Sequence, residues 1–354
     1  MKKKALVIMF TLMLAFVMLA GCGQGGSGDA TTEDQTGTDA ATETETVTIG
    51  MCPKFTSDNY MLSARDGAQA ACDELGYKLD FNGPVDGDVS AQADIISQWV
   101  QKGYTAITVS ANDKDALSPA MQAAKDAGVF TSAWDADVQP QTRDFFMNQF
   151  TAEGIAKVIT ECMVKDAGTD EGNFLILTST LTAPNQTKWI EELRKYIAAN
   201  HPKMIIDDVL PGDEDVVKSR DTTMNYLRSH PDTKGVIVLT TNEVPGAVEA
   251  VKQLGMEGKV MVGGIMNIPS LIREYFKEGT VAKSGAANSP YDLGYAAMYM
   301  IKVQVEGNVE KAKQDGYIEA GRLGKLQIID KDNGIVLIGD PVVFDASNID
   351  NFTW

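Results

Sequence analysis

Residues 106–137 of the chain read AITVSANDKDALSPAMQAAKDAGVFTSAWDAD. Two short apolar runs, 106–110 and 129–134, flank an amphipathic segment, 115–127, that has the length of a helix. Continuous apolar runs of this kind are typical of parallel strands that are covered on both faces and joined by helices. The stretch therefore predicts a strand–helix–strand unit, and Asp135 and Asp137 come directly after its second strand.

The same alternation continues along most of the chain. Further strands are predicted at 47–52, 78–82, 174–179, 204–209, 236–240, 260–264 and 281–286. Further helices are predicted near 59–75, 89–102, 151–167, 185–200, 214–229, 244–254, 269–277 and 291–306. An ordered body of about 300 residues exceeds one hydrophobic core. The pattern therefore predicts an α/β fold with two doubly wound parallel-sheet lobes joined by a hinge.

The lobe boundaries follow from two similar blocks of this alternation. We expect the first lobe to comprise residues 46–149 plus 289–320, and the second lobe to comprise residues 150–288 plus 321–354. Residues 321–344 differ in pattern and indicate a hairpin, with Asp332, Asn333 and Gly334 at its turn. The C-terminal tail is expected to cross back between the lobes.

The N-terminus carries a secretion signal. Three lysines precede a short apolar segment that ends in Leu-Ala-Gly-Cys, so residues 1–21 are predicted to be a lipoprotein signal peptide. The last four residues resemble the bacterial lipobox, which implies a lipid on Cys22 and a position on the extracytoplasmic face of the cell membrane, in a Gram-positive bacterium. Residues 22–45 are small, polar and acidic, and they are predicted to form a flexible tether.

Charge and cysteine content narrow the choice of partners. The net charge is −18, which argues against a nucleic-acid partner because such binding depends on basic groups. Cys52, Cys72 and Cys162 remain after Cys22 is acylated, and this sparse, odd set is read as small buried side chains, not as a disulfide framework. We expect a monomer that reaches the membrane only through its lipid.

Few residues are of the types that catalysis requires. His201 and His230 both precede a proline at a predicted helix end, so we interpret them as structural, which removes histidine triads and most zinc sites. No nucleotide-binding or hydrolase motif is present, and we predict no cofactor and no metal. Acidic clusters such as 213–215 are interpreted as solvated turns. Asp135 and Asp137 remain open as a catalytic pair, but Asp137 is expected to pair with a lysine or with Arg143.

In an open α/β sheet, ligands bind beyond the carboxyl ends of the strands. The loops that follow the predicted strands carry lysine, carboxylate, amide, hydroxyl and aromatic side chains, a set suited to hydroxyl groups and one apolar face. About half of these residues are expected to contact a ligand. They are 53–60, Asn112, Trp134, Asp135, Asn148, Gln149, Asn185, Gln186, 240–242, Asn267 and Asn288.

Residues 109–149, VSANDKDALSPAMQAAKDAGVFTSAWDADVQPQTRDFFMNQ, resemble the sugar-type (type 1) periplasmic binding proteins, and most closely the Lsr-type receptors for autoinducer-2. The stretches CPK at 52–54 and NGIVLIGDPVVFDASNID at 333–350 support the likeness, which covers nearly all of 47–352. The resemblance implies two lobes that close on a small ligand, delivery to an ABC-transporter permease, and no enzymatic activity.

The resemblance also implies individual binding residues. The lysine after the first strand matches Lys54, and the first aspartate of the WDxD segment matches Asp135. A family Asp-Gln pair falls on Asn185-Gln186, so one carboxylate is replaced by its amide. Two positions that are proline and alanine in the family fall on Leu239 and Thr241, and an aromatic residue in the first loop matches Tyr60. Asn288 completes the expected ligand-binding set on the strand-end argument alone.

These residues favour a lipid-anchored receptor that captures borate-free, furanose-like autoinducer-2. A pentose or a rhamnose-like sugar is the alternative ligand, and a sensory receptor of the same fold is the alternative role. A hydrolase using Asp135 and Asp137 lacks any further catalytic group. A two-lobed repressor is excluded, because a signal peptide stands where a DNA-binding headpiece belongs.

Overall fold

The computed structural model describes residues 46–352. The predicted signal peptide, Cys22 and the tether therefore lie outside the described residues. Within residues 46–352, no helix has the length and apolar character needed to cross a membrane. The predicted α/β fold with parallel sheets is confirmed.

The first sheet has eight strands. Its parallel part has the order β2-β1-β3-β4-β5, and three C-terminal strands extend it beyond β5 in the order β13, β12, β11. β13 pairs with β5 in parallel, whereas β12 and β11 are antiparallel to their neighbours. The strands are Thr48–Cys52 (β1), Lys78–Phe81 (β2), Ala106–Val109 (β3), Phe130–Trp134 (β4), Phe145–Asn148 (β5), Tyr317–Glu319 (β11), Lys325–Asp330 (β12) and Ile335–Leu337 (β13).

The second sheet has four parallel strands in the order β7-β6-β8-β9. A two-stranded antiparallel ribbon, β10-β14, joins it through a bridge between Ile265 and Ala286. The strands are Gly172–Thr178 (β6), Met204–Pro211 (β7), Gly235–Val238 (β8), Met261–Gly264 (β9), Ser284–Ala287 (β10) and Val342–Asp345 (β14).

Helices cover both faces of each sheet. On the first sheet α1 and α9 pack on one face and α2 and α3 on the other; on the second, α4 and α5 lie opposite α6, α7 and α8. The helices are Asn59–Leu75 (α1), Val89–Gln101 (α2), Lys114–Asp126 (α3), Ala152–Ala167 (α4), Pro184–Asn200 (α5), Val216–Ser229 (α6), Val244–Gln253 (α7), Pro269–Glu278 (α8), Pro290–Val305 (α9) and Val309–Asp315 (α10).

Alternate residues of one strand serve the two faces of a sheet. In β6, Leu175 and Leu177 face the core beneath α6–α8, while Phe174 and Ile176 face the core beneath α4 and α5. This period of two is the side-chain alternation of an extended chain. Because both faces are covered, most positions are apolar, and this burial explains the nearly continuous runs from which the strands were predicted.

Two glycines let α1 and α9 pack closely. A Cβ atom on Gly67 would lie 1.9 Å from the backbone oxygen of Tyr291, and one on Gly294 would lie 1.8 Å from that of Ala64. Real Cβ atoms do not approach a carbonyl oxygen this closely, so only glycine fits at either position. The contact fixes the start of α1, which carries Tyr60.

Two features of the first sheet differ from the sequence prediction. The short strand β5 was not predicted, and residues 325–337 lie in the first sheet although 321–354 had been assigned to the second lobe. The cause is parallel pairing between Ile335 and Phe146, a long-range contact that no local pattern contains. The predicted hairpin itself is confirmed, with its turn at 331–334 between β12 and β13, and β14 alone crosses back to the second sheet.

The two histidines and two of the three described cysteines have the predicted structural settings. His201 and His230 follow the last residues of α5 and α6, and the His201 ring contacts carboxylates of Glu161 and Asp170. Cys52 and Cys72 are buried, and burial raises the pKa of each thiol to about 12. Cys162 is only half-buried.

Candidate functional site

Polar side chains from both sheets converge on one small cavity at the carboxyl ends of the strands. The cavity encloses about 30 Å³, room for one or two water molecules. The first sheet contributes the segments after β1, β4 and β5, and the second contributes those after β6, β7, β8 and β9. Of the eight residues predicted to bind ligand, seven line this cavity: Lys54, Tyr60, Asp135, Asn185, Gln186, Leu239 and Thr241.

Asp135 is the centre of the hydrogen-bond network. Its Oδ2 accepts from Ser110 Oγ at 2.6 Å and lies 2.8 Å from Lys54 Nζ. Its Oδ1 accepts from Gln149 Nε2 at 2.5 Å and from Asn185 Nδ2 at 3.2 Å. All four lone-pair positions of the carboxylate are therefore used, as expected for a buried ionised group.

The backbone of Asp135 is left-handed, with φ of 61°. Aspartate is among the few residues that adopt this conformation, and its amide still donates to Met147 O of the neighbouring strand at 3.1 Å. The turn points the side chain out of the sheet at the end of β4. Backbone strain of this kind clusters at functional sites.

Lys54 is the cation that lines the cavity, and it is only 4% exposed. Its backbone oxygen accepts a 2.9 Å hydrogen bond from Asn112 Nδ2, which fixes the loop after β1. A buried ammonium is stable only when it is paired. Asp135 supplies the counter-charge in this conformation, and a ligand that separates the pair must replace its hydrogen bonds.

The second sheet supplies two amides. Gln186, in the first turn of α5, directs its Oε1 to the end of β6, where it accepts from Ser179 N at 2.8 Å and also from the hydroxyl of Thr178. No hydrogen bond of its Nε2 is found within residues 46–352, so the amide nitrogen is available as a donor at the cavity. Asn185 donates to Asp135 and thereby links the two sheets across the cavity.

Three further predicted residues form the wall. Leu239 is 2% exposed and follows β8, where its amide donates to Leu177 O at 2.9 Å. The hydroxyl of Thr241 accepts from the amide of Asn267 at 2.5 Å, so it fixes the loop after β9. Tyr60 is buried, and its Oη has no hydrogen-bond partner. Burial, followed by the carboxylate of Asp135, raises the pKa of Tyr60 well above its usual value.

Asn288, the eighth residue predicted to bind ligand, does not line this cavity. Its Nδ2 donates to Gln149 O at 2.7 Å and to Gly339 O at 3.2 Å. Residues 149, 288 and 339 lie on the three segments that pass between the two sheets, so the amide ties the crossings together. The strand-end argument identified the correct edge of the sheet but could not give the direction of this side chain.

Seven cavity residues lie outside the eight predicted to bind ligand, and three of these seven are charged or aromatic. Asp58 caps α1, accepts from Tyr60 N at 2.8 Å, and accepts from Asn242 Nδ2 of the opposite sheet at 2.8 Å. Trp189, from α5, is 4% exposed. Glu214 lies in the acidic cluster 213–215, which the sequence interpreted as a solvated turn, and that interpretation is wrong for Glu214 because its side chain lines the cavity.

Asp135 and Asp137 do not act as a pair. Asp137 binds Arg143 through two contacts, Nε to Oδ1 at 2.5 Å and Nη2 to Oδ2 at 2.6 Å. Arg143 is buried and also donates to Asn333 O. The expected pairing of Asp137 is therefore confirmed. Because the two carboxylates have separate partners, no shared acid/base site is formed.

A larger groove lies beside the cavity. It has a volume of about 580 Å³ and shares Asn185 and Trp189 with the cavity lining. Residues of both sheets line it, including Asp113 and Phe146 from the first and Thr182 from the second. With the cross-cavity bonds at Asp135–Asn185 and Asp58–Asn242, the described conformation is closed.

Residues 49–308 match the family model described as a periplasmic binding protein domain. A D-ribose/D-allose-binding protein of Pseudomonas aeruginosa is 25% identical over 282 residues, which cover 77% of this chain and 86% of that protein. Among solved structures, a sugar ABC transporter from Actinomyces odontolyticus is 30% identical, with a TM-score of 0.69, and covers 87% of this chain and 97% of its own. LsrB from Clostridium saccharobutylicum in complex with AI-2 is 25% identical, with a TM-score of 0.80, and the match covers 87% of this chain and 100% of LsrB.

Proposed function

We propose, from the premise that this chain belongs to the periplasmic binding protein domain family, that it captures a small polyhydroxylated ligand outside the cytoplasm and delivers it to the permease of an ABC transporter. Like its relatives, the chain is a binding protein and not an enzyme. The proposal rests chiefly on one observation: a closed, strongly polar cavity in which Asp135 of one sheet bonds to Asn185 of the other.

The cavity chemistry suits a ligand with several hydroxyl groups. Lys54 donates and Asp135 accepts, while the amides of Asn185 and Gln186 can do both. Trp189 supplies an aromatic face for the carbon-bound hydrogens of the ligand. Pockets for small ligands typically combine a few oriented polar groups with such apolar surface.

The ligand enters by separation of the two sheets. About 30 Å³ is too small for a sugar, so the bonds Asp135–Asn185 and Asp58–Asn242 must open before the ligand binds. The three segments tied by Asn288 form the hinge of this motion. Each sheet then moves with its own helices as one lobe, and the ligand replaces the cross-cavity bonds when the lobes close again.

Autoinducer-2, in its borate-free furanose-like form, is the proposed ligand. Lys54, Asp135 and Gln186 keep the three side chains that the family resemblance assigns to it, and one relative is a complex with AI-2. The departures are Asn185, which replaces a carboxylate, and Thr241, whose hydroxyl is already used by the amide of Asn267. A simple sugar such as a pentose is the alternative ligand, supported by the D-ribose/D-allose-binding relative.

The proposed location is the outer face of the cell membrane, held by a lipid on Cys22. Mass spectrometry of the native N-terminus is expected to give an acylated cysteine as the first residue. A free start at Gly23 or later would contradict this. Cys22→Ala is expected to release the protein from the membrane and to leave ligand affinity unchanged, because the described cavity uses only residues from 54 onward.

The ligand can be identified directly. The chain without its signal peptide is purified, and the bound small molecule is released by heat and assayed for autoinducer activity. Titration calorimetry with autoinducer-2, ribose, xylose and rhamnose runs in parallel. Active released material and tight autoinducer-2 binding are expected. Tight binding of a simple sugar with inactive released material would reject this ligand and keep the transport role, whereas no binding by any compound would reject both.

A further inference from the structure

Two carboxyl groups in the cavity have no cationic partner. Asp58 comes from the start of α1 on the first sheet, and Glu214 comes from the loop between β7 and α6 on the second. Lys54 lies 2.8 Å from Asp135. Within residues 46–352, neither Asp58 nor Glu214 forms an ion pair with a lysine or an arginine. Asp58 is buried and Glu214 is half-buried. A carboxyl held away from water without an ion pair is costly, so the retention of these two groups in the cavity requires a reason.

The backbone holds Glu214 in an unusual conformation. Asp213 and Glu214 have φ values of 54° and 57°, a left-handed turn that side chains other than glycine rarely adopt. The fully buried Glu243 supports the turn, because its Oε1 accepts from Glu214 N at 3.2 Å. Gly212 completes the turn, since a Cβ atom there would lie 2.6 Å from the same Oε1.

Other groups in the cavity also have unmet hydrogen-bonding capacity. Asn267 Oδ1, Tyr60 Oη and Gln149 Oε1 are buried without a hydrogen-bond partner, and all three residues line the cavity and are more than nine-tenths buried. Buried polar atoms in folded proteins are almost always satisfied. Their occurrence together in one cavity indicates that a ligand with several polar groups completes the network.

We propose that Glu214 and Asp58 form a second ligand-binding subsite, distinct from Lys54 and Asp135, that grips a pair of adjacent hydroxyl groups from the two lobes at once. Glu243 is the positioning residue of this subsite and holds Glu214 in its turn. The inference rests on the proposed binding function and deepens it. The ligand is expected to carry two adjacent hydroxyl groups at this end of the cavity. Binding of a neutral ligand is then expected to be accompanied by uptake of a proton.

The proton follows from the position of both carboxyls in one cavity. Burial is the largest effect on both groups: it raises the pKa of Asp58 to about 6 and that of Glu214 well above its usual value. The carboxylate of Asp58 also raises the pKa of Glu214, and that of Asp135 raises the pKa of Asp58, so the closed cavity favours a protonated carboxyl at this end. The protonated carboxyl donates to one ligand oxygen, and the ionised carboxylate accepts from the other hydroxyl. The charged and titratable groups around the pair are Lys54, Tyr60, Asp135, Asp213, Lys218 and Glu243.

The sign of the pH effect is fixed by closure. Separation of the sheets would expose both carboxyls to water, where carboxyls have ordinary pKa values, whereas burial in the closed cavity raises their pKa values, so closing is expected to bind protons. Affinity for a neutral ligand must therefore fall as pH rises from about 6 to 8, by at most tenfold per pH unit for each proton taken up.

Calorimetry tests the subsite on the chain without its signal peptide. The panel compound that binds (autoinducer-2, ribose, xylose or rhamnose) is titrated at pH 6, 7 and 8, in phosphate and in Tris, whose different ionisation heats report proton uptake. For the wild type, proton uptake and a decreasing affinity are expected. Glu214→Gln is expected to reduce both effects, and Glu214→Ala to weaken binding at pH 6 by tenfold or more. Glu249→Gln, an exposed carboxylate on α7, is the control and should match the wild type.

Glu243 provides a separate readout of positioning. Glu243→Gln keeps the Oε1 acceptor and is expected to retain affinity at pH 6, whereas Glu243→Ala removes it and is expected to bind as weakly as Glu214→Ala. Wild-type affinity, proton count and pH slope in Glu214→Gln would overturn the subsite while the binding function stands. Failure of every panel compound to bind the wild type would instead refute the proposed function, and the subsite with it.

Discussion

Replacement of Asp135 by asparagine removes one charge from the cavity with almost no change in shape. Each carboxylate oxygen accepts from two donors, Lys54 and Ser110 on one side and Gln149 and Asn185 on the other. An asparagine NH₂ group must face one of these pairs in either orientation, so two donors lose their acceptor. Lys54 is also left buried without a counter-charge.

The magnitudes follow from these contacts. Breaking a buried ion pair by removing one partner costs about 3–5 kcal/mol of folding stability. Hydrogen bonds to a charged group contribute about 1.5–3 kcal/mol each, so loss of one ligand bond to Asp135 is expected to weaken binding by roughly tenfold to over a hundredfold. Urea unfolding measures the stability change, and titration calorimetry measures the affinity.

Two variants separate charge from packing. Lys54→Met combined with Asp135→Leu replaces the ion pair by apolar groups. Compared with Asp135→Asn, this double variant is expected to be more stable but to bind ligand no more tightly. Asp137→Asn is the matched control two residues away. It weakens the Arg143 contact and should lower stability while ligand affinity stays within twofold. Binding of Asp135→Asn at wild-type strength would refute the role assigned to this carboxylate.

Three further changes have expected outcomes. Gly67→Ala forces a Cβ atom against a backbone carbonyl of the facing helix and is expected to destabilise the fold by about 1–3 kcal/mol or more, measured by thermal melting. Asn288→Ala leaves two carbonyls of the crossing segments without their donor and should cost about 1–3 kcal/mol in urea unfolding without removing a ligand contact. Burial raises the pKa of Glu243 to about 8, so the stability this group contributes is complete below its unfolded pKa and is lost as pH rises toward 8. Glu243→Gln is expected to flatten that decline, and an unchanged pH profile would contradict it.

The sequence predicted the strands that are buried on both faces. Strands such as β3 and β6 are covered on both faces, and that burial makes their apolar runs continuous and recognisable. Asp135 and Lys54 could be placed because each directly follows such a strand, and the edge of a parallel sheet gathers these positions. The short β5 was not predicted, since the strand has only four residues and irregular chain flanks it.

The sequence was least informative where the outcome depends on a distant partner. The parallel pairing of β13 with β5 leaves no local trace, so residues 325–337 were assigned to the wrong lobe. Asn288 lies at the correct sheet edge but turns toward the crossing segments. Glu214 shares its acidic composition with any solvated turn. Only the left-handed backbone and the support from Glu243 distinguish it, and neither can be read from composition.

Titration calorimetry of the wild-type chain, followed by chromatography of the recovered ligand, tests most directly whether the cavity between the two sheets is a binding site. One molecule of a polyhydroxylated ligand is expected to bind per chain, to be recovered chemically unchanged, and to lose at least tenfold in affinity when Asp135 becomes asparagine. Conversion of the ligand, or saturable binding that is insensitive to both Asp135→Asn and Lys54→Met, would contradict a receptor built around this cavity.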